Sequence, residues 1–261
     1  MYTDQKTLSY PCLVLRGLGT FAAAIALLNV PAYASPVVIN GNFADIGSNP
    51  TVPFKVDAAN LPGWSFFSSA GFGTASVDCV ANSILTCYPS NQNDLWSVKT
   101  SPDLGNFYLD DGDLSYAGTL SQTINDLAPF AYYTISFYQA AAQFFSKSGD
   151  TEERWKVTFG SAPSQLSTLM KNPSQSFSGC PSDPNNWCYQ TLTFQNGNST
   201  SALLSFFAVG TPGGLPPVVL LDGVSINAVP EPATLALGGA GLLGLLVARR
   251  RQSKGASSHL P

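Results

Sequence analysis

The sequence predicts an all-β domain over residues 35–228, a two-sheet antiparallel sandwich with jelly-roll topology. Short apolar–polar alternations recur along this stretch, for example at Tyr133, Ile135 and Phe137. Clusters of Gly, Pro, Asn and Asp separate the alternations and are typical of turns. Apolar residues do not follow a helical period over any long run. About ten short strands with polar turns are typical of a sandwich in a domain of this size.

The predicted strands cover most of the domain in chain order. They span residues 37–43, 64–68, 74–80, 106–109, 119–124, 133–138, 155–159, 189–194, 203–209 and 218–226. A helix is considered only around residues 140–145, where a continuation of the preceding strand is the alternative.

The N-terminal residues 1–34 have the features of a secretory signal peptide. Lys6 and Arg16 precede an apolar run over residues 18–30, and Ala32-Tyr33-Ala34 supplies an A-x-A cleavage site. Cleavage after Ala34 is expected. The alternative, an N-terminal membrane anchor, is disfavoured because the apolar run is short and Pro31 follows it.

The C-terminal segment has three parts in a fixed order. Val229-Pro230-Glu231-Pro232 ends the preceding fold, because two prolines remove backbone donors and fix φ. Residues 233–248 carry no charge and predict a single transmembrane helix of about 24 Å, against a hydrocarbon core of about 30 Å. Arg249, Arg250 and Arg251 follow and favour the cytoplasmic side, and residues 252–261 form a short tail.

The order of these three parts resembles the PEP-CTERM sorting signal of Gram-negative bacteria. That signal consists of a Val-Pro-Glu-Pro box, a Gly/Leu-rich helix and an arginine cluster. The resemblance implies export by the Sec machinery, transient anchoring in the inner membrane and recognition by a membrane-embedded exosortase. It also implies removal of the helix and delivery to the cell surface or the extracellular matrix. An ordinary single-pass anchor is the alternative.

Composition and cysteine usage agree with an exported domain. Residues 35–228 hold fourteen acidic and six basic side chains, so nucleic acid is not an expected partner. Four cysteines remain in this part, and local pairing is favoured as Cys79–Cys87 and Cys180–Cys188. A zinc site is disfavoured, since thiolate sites usually have closer Cys spacing.

Short motifs along the domain resemble galactose-binding-like jelly rolls, a group that includes many cell-wall carbohydrate-binding modules. These motifs are Asn40-Gly41-Asn42-Phe43, Pro62-Gly63-Trp64, residues 118–124, residues 133–137 and residues 221–226. The resemblance implies two antiparallel sheets, neighbouring N- and C-terminal strands and a structural calcium near the sheet edge.

Asp222 offers a separate reason to consider calcium. It shares its parity with Val218, Leu220, Val224 and Ile226, which places a carboxylate on an apolar face. Such a group needs a cation, backbone N–H donors or a bulge at Gly223. Asn40 and Asn42 are expected to add oxygen ligands if the two ends of the domain pair.

Catalytic residues are not expected in this domain. The only histidine, His259, lies in the C-terminal tail, which excludes a Ser-His-Asp arrangement in the domain. Fourteen carboxylates leave a glycosidase open, but no pair stands out. A solvated turn or a metal site is predicted at Asp110, Asp111 and Asp113. A solvated strand edge is predicted at Asp150, Glu152 and Glu153.

Aromatic side chains suggest binding instead. Trp64 and Trp155 are expected in the core, whereas Trp96 and Trp187 are expected to reach solvent and to stack on sugar rings. The sequence therefore predicts an exported, non-catalytic surface or matrix protein that binds exopolysaccharide or another carbohydrate. A purely structural matrix protein is the first alternative, and a secreted glycoside hydrolase is the second.

Overall fold

The computed structural model describes residues 34–45, 56–57, 61–68, 76–78, 95–96, 98–103, 106–144 and 147–230, with Gly239, Gly241 and Gly244. Twelve strands lie in these described ranges. They are β1 (Val56–Asp57), β2 (Ser65–Ser68), β3 (Ser76–Asp78), β4 (Phe107–Asp111), β5 (Gly118–Ile124), β6 (Tyr132–Ala142), β7 (Thr151–Phe159), β8 (Gln165–Leu166), β9 (Met170–Asn172), β10 (Cys188–Gln195), β11 (Ala202–Thr211) and β12 (Val218–Ala228).

The strands form two antiparallel sheets. Sheet A has the order β1-β3-β4-β12-β6-β10, and sheet B has the order β2-β5-β11-β7-β8, with β9 also paired to β7. From β4 to β12 the chain passes from one sheet to the other at most connections, as in a jelly roll. The predicted two-sheet antiparallel sandwich is therefore confirmed.

The core between the sheets is aromatic. Trp155 on β7 is fully buried, meets the Phe206 ring edge-on at 6.0 Å and donates its indole N–H to the Leu220 carbonyl at 3.0 Å. Trp64 is buried as well, and its indole N–H donates to the Asn40 carbonyl at 3.0 Å. Both predicted core tryptophans are confirmed. Each reaches a backbone carbonyl, which satisfies the polar end of a large apolar side chain.

The first predicted strand, residues 37–43, is wrong: residues 39–42 form a turn. Asn40 and Phe43 have left-handed backbones, with φ of 52° and 51°, which interrupt an extended run. The buried Gln122 side chain holds this N-terminal segment by accepting the Ile39 N–H at 2.7 Å and donating to the Ile39 carbonyl at 2.9 Å. Val224 donates its N–H to the Gly41 carbonyl at 2.9 Å, so the segment lies beside β12.

Residues 140–142 continue β6, so the strand alternative is confirmed there. Three very short strands, β1, β8 and β9, were not expected from the sequence. They have two or three residues each, too few to give an alternating pattern.

The shared face predicted for β12 is wrong because a bulge interrupts the strand between Asp222 and Ser225. Val219 and Leu221 face the core before the bulge, and Val224 and Ile226 face it afterwards. Val218 and Leu220 lie instead in a second apolar cluster on the outer side of sheet A. Gly223, with φ of 59°, adopts the left-handed conformation at the bulge.

Three predicted features lie outside the described residues. These are residues 1–33 of the predicted signal peptide, the Cys79–Cys87 pairing, and the sorting segment from Glu231 onward apart from three glycines, including Arg249, Arg250 and Arg251. Within the predicted membrane helix, Gly239, Gly241 and Gly244 have helical backbone. Among the residues that the structure describes, no helix has the length and apolar character needed to cross a membrane.

Candidate functional site

A disulfide-closed loop covers one half of the outer face of sheet A. Cys180 and Cys188 are bonded, with Cα atoms 5.5 Å apart, which confirms this predicted pair. Its loop closes over the outer apolar cluster, which includes Phe107, Leu220 and Phe177. In the chain-entropy model, a bridge of this span stabilises the fold by about 2–3 kcal/mol.

The expectation that Trp187 reaches solvent is wrong. Trp187 is only 8% exposed, because its ring packs against Phe107 at 5.4 Å and Phe177 at 6.2 Å between centroids. Its indole N–H donates to the Lys99 carbonyl at 2.9 Å. Trp187 therefore anchors the disulfide loop to the sheet, and the sequence could not show that the loop folds inward.

Trp96 is half-buried, and its backbone N–H donates to the Gln143 carbonyl at 2.8 Å. The predicted role of Trp96 as a sugar platform stays a prediction.

The other half of this outer face is open and carries two tyrosines. Tyr189 on β10 pairs with Tyr138 on β6, and their ring centroids are 5.0 Å apart. Tyr189 is 57% exposed and Tyr138 is half-buried. One step further along the strands, Thr191 and Ser225 expose hydroxyl groups on either side of β6.

Asp103 adds a carboxylate beside these rings. A Cβ atom placed on Gly223 would lie 3.2 Å from Asp103 Oδ2 and 2.9 Å from Tyr138 Cδ2, so the exposed Asp103 side chain and the Tyr138 ring edge are neighbours. We call Tyr138, Tyr189, Asp103, Thr191 and Ser225 the tyrosine face. The sugar platforms predicted from the sequence were tryptophans and not these tyrosines, although the strands that carry Tyr138 and Tyr189 were both predicted.

Asp222 on β12 is the strand partner of Tyr138 and is fully buried. Ser101 Oγ donates to its Oδ2, and the Gly223 N–H donates to its Oδ1 at 2.7 Å. Burial raises the pKa of Asp222 to about 7, an effect that the Gly223 N–H partly offsets and the Asp103 charge reinforces. The contacts match the hydrogen-bonded alternative for Asp222, with the bulge at Gly223 that the sequence suggested.

The predicted calcium ligands make hydrogen bonds within the protein. The Asn40 side-chain oxygen accepts the Asp45 N–H at 3.0 Å, and the Asn42 oxygen accepts the Ala44 N–H at 3.3 Å. Both Asp222 oxygens are also hydrogen-bonded. Calcium needs six to eight oxygen ligands, and in the described part of the chain no three His, Cys, Asp or Glu side chains are grouped to hold a metal.

A calcium titration tests the predicted site. Because the predicted ligand oxygens already accept hydrogen bonds, we expect calcium added to the chelator-treated protein to leave Tm within about 1 °C. An Asp222→Ala variant is the control. A clear rise in the Tm of the parent protein on adding calcium, absent from the Asp222→Ala variant, would support the calcium site.

Two further carboxyls differ from expectation because they are buried. Asp110 is 2% exposed and accepts N–H groups from Asp111 at 2.8 Å and Gly118 at 3.2 Å; burial raises its pKa to about 7. Glu153 faces the core with no exposed surface, and burial raises its pKa to about 9. The predictions of a solvated turn at Asp110 and of a solvated strand edge at Glu153 are therefore wrong.

The chain matches the PEP-CTERM protein-sorting motif over residues 228–251. It therefore carries a PEP-CTERM signal, which marks an exported protein sorted to the cell envelope. The fold and this signal together define an exported β-sandwich protein. No curated protein is significantly similar to the chain in sequence.

Several solved structures are similar to the sandwich. The CBM22-1 xylan-binding domain from Paenibacillus barcinonensis Xyn10C is 12% identical with a TM-score of 0.38, over 77% of this chain and 99% of that domain. A CBM4 module is 17% identical with a TM-score of 0.35, over 74% of this chain and 99% of that one. The enzymatically active domain of bacteriophage CBA120 tailspike protein 4 is 13% identical with a TM-score of 0.38; the match covers 74% of this chain and 21% of the tailspike chain.

Proposed function

We propose that this protein is a non-catalytic polysaccharide-binding protein of the cell surface or extracellular matrix, and that it binds its glycan through the tyrosine face. The observation that carries the proposal is the Tyr138–Tyr189 pair, 5.0 Å apart on an open sheet face. Its ligand is a polysaccharide outside the cell, in keeping with the sorting signal.

The chemistry of the tyrosine face suits a sugar chain. Tyrosine presents an apolar ring face, on which the C–H face of a sugar can stack, and a hydroxyl that exchanges hydrogen bonds. The Asp103 carboxylate accepts hydrogen bonds from sugar hydroxyls, and the Thr191 and Ser225 hydroxyls both donate and accept them. The acidic excess of the domain disfavours a polyanion in the same place.

A non-catalytic role is supported by the position of the carboxyls with raised pKa values. A glycosidase places its acid and its nucleophile or base on either side of a bound sugar. Among the described residues, four carboxyls have raised pKa values. Asp110, Glu153 and Asp222 are 2%, 0% and 0% exposed and cannot contact a polysaccharide. Asp111 is half-buried, so it is the one member of this set that a ligand could reach, whereas a glycosidase needs a pair.

The sorting route is the second part of the proposal. The Sec machinery exports the chain, the segment after Pro232 holds it in the inner membrane, and an exosortase recognises residues 229–251 and releases the ectodomain. In the sandwich, Val229 donates its N–H to the Tyr132 carbonyl at 2.8 Å, so ordered pairing extends to the first residue of the sorting box.

A Tyr189→Ala variant tests the tyrosine face. We expect saturable binding of the full-length protein to cello-, xylo- or galacto-oligosaccharides, and about a tenfold loss in the variant, ~1.4 kcal/mol. Tyr116→Ala is the matched control, because Tyr116 is 49% exposed and lies in the turn before β5. Isothermal titration measures both variants.

Three results would contradict the proposal. Absence of saturable binding favours the purely structural matrix protein. Release of reducing sugars from a polysaccharide favours the glycoside hydrolase. Equal losses in the Tyr189 and Tyr116 variants mean that the tyrosine face is not the site.

A further inference from the structure

A groove of about 440 Å³ lies at one edge of the sandwich, where the turns after β5, β7 and β10 meet. Phe130, Ala162 and Pro163 supply apolar surface, and Gln165, Gln195 and Asn196 supply amides. None of its described lining residues is charged. We call it the edge groove.

Hydrogen bonds fix the orientation of the amides. Gln165 Nε2 donates to the Thr193 carbonyl at 2.6 Å, and Gln195 Nε2 donates to the Phe130 carbonyl at 3.1 Å. Asn196 Nδ2 donates to the carbonyls of Ala128 at 3.0 Å and Ser199 at 2.6 Å. Because one N–H of Gln165 and one of Gln195 are bound to the protein, the orientation of both amides is fixed and their carbonyl oxygens are left to accept hydrogen bonds from a ligand. Asn196 is only 4% exposed and shapes the wall of the groove.

Phe130 has an unusual backbone for an exposed aromatic residue. Its φ is 59°, in the left-handed region that Gly and Asn adopt more easily, yet its side chain is 60% exposed. The Phe130 N–H donates to the Gly197 carbonyl at 2.9 Å, which holds the turn in place. A non-glycine residue in this conformation costs stability, and the exposed Phe130 ring adds little packing to the core. Strained residues of this kind are found most often at functional sites.

We infer that the edge groove is a second saccharide site, which holds one or two neutral sugar rings against Phe130 through hydroxyl donors. A neutral ring ligand with several hydroxyls matches an uncharged groove with one aromatic ring and oriented amide acceptors. The choice of a sugar as the ligand rests on the proposed function, but the groove shares no residue with the tyrosine face.

The two sites lie towards opposite ends of β10. Tyr189 belongs to the tyrosine face and Gln195 lines the edge groove, and six residues of strand separate them by about 20 Å. One domain can then hold two glycan segments at once, and this makes the protein a cross-linker of polysaccharide.

A Phe130→Asn variant tests the edge groove and separates binding from folding. Asn tolerates a positive φ, so we expect Tm to be unchanged or higher while the groove loses at least tenfold in affinity. The probes are neutral tetrasaccharides from cellulose, xylan and galactan, titrated into the full-length protein. We expect two sites per chain in the parent protein, and one site in either the Phe130→Asn or the Tyr189→Ala variant.

The other outcomes separate the two proposals. One site that Tyr189→Ala abolishes and Phe130→Asn leaves intact overturns the edge groove and keeps the proposed function. One site lost only in Phe130→Asn supports the groove and overturns the tyrosine face. No binding of any probe by the parent protein overturns both.

Discussion

Replacing Glu153 with Gln should stabilise the protein by about 2–3 kcal/mol at pH 7. The Glu153 carboxyl is fully buried in the core face of β7, and its oxygens have no hydrogen-bond partner of good geometry among the described residues. Burial raises its pKa from 4.5 to about 9, and the nearby Thr151 hydroxyl offsets only part of the effect. Gln keeps the shape of the side chain and cannot ionise.

The sign of the pH dependence follows from the direction of this shift. The unfolded chain releases the Glu153 proton above about pH 4.5, whereas the folded chain keeps it to about pH 9. Folding therefore binds a proton in this window, so the stability of the parent protein falls as the pH rises from 4.5 to 9. The stability of the Glu153→Gln variant should not show this part of the decrease between pH 4.5 and pH 9.

Thermal unfolding between pH 5 and pH 9 measures the effect. A gain of 2–3 kcal/mol corresponds to a Tm increase of about 5–10 °C in a domain of this size. Glu152→Gln is the control, because Glu152 is its exposed neighbour and pairs with Lys171 at 3.1 Å, so the change should be under about 1 kcal/mol. A Glu153→Gln variant that is less stable at pH 7 would show that the ionised carboxylate has a partner.

Replacing Gly41 with Ala should destabilise the protein by about 3 kcal/mol. A Cβ atom on Gly41 would overlap the backbone carbonyl of Val224, which cannot move without distorting the bulge in β12. Relief of the overlap requires the N-terminal segment to move away, and this breaks the Val224 to Gly41 hydrogen bond of 2.9 Å. Phe43, which is fully buried, would lose packing as well.

Chemical denaturation measures this loss as a lower midpoint. Asn42→Ala is the matched control, since Asn42 is the exposed next residue and its side chain accepts only the Ala44 N–H at 3.3 Å in the described structure. The control should cost less than about 1 kcal/mol. Equal stability of the Gly41→Ala variant and the parent protein would mean that the N-terminal segment is not held against β12.

The sequence was most informative where side-chain alternation is long. β6, β7 and β11 each have at least nine residues, and each was predicted with the correct type. The failures have local backbone causes. The left-handed conformations of Asn40 and Phe43 ended a predicted strand, and one bulge changed which residues of β12 face the core.

The site was harder to predict than the fold, because exposure depends on contacts far apart in sequence. Trp187 sits in a polar loop and looked accessible, yet it packs against Phe107 on β4. Tyr138 and Tyr189 are 51 positions apart, and only the register of β6 with β10 brings them together. Residue type alone predicts tryptophan as the exposed sugar platform. The pairing of β6 with β10 instead places two tyrosines side by side on the open face.

The position of β12 in sheet A affects when the domain can finish folding. β12 is the last strand of the sandwich, yet it lies between β4 and β6. In a chain that emerges N-terminus first, β4 and β6 have no strand between them until residues 218–228 appear. The sheet therefore keeps an apolar gap between β4 and β6 until β12, the strand next to the sorting signal, pairs with both of them.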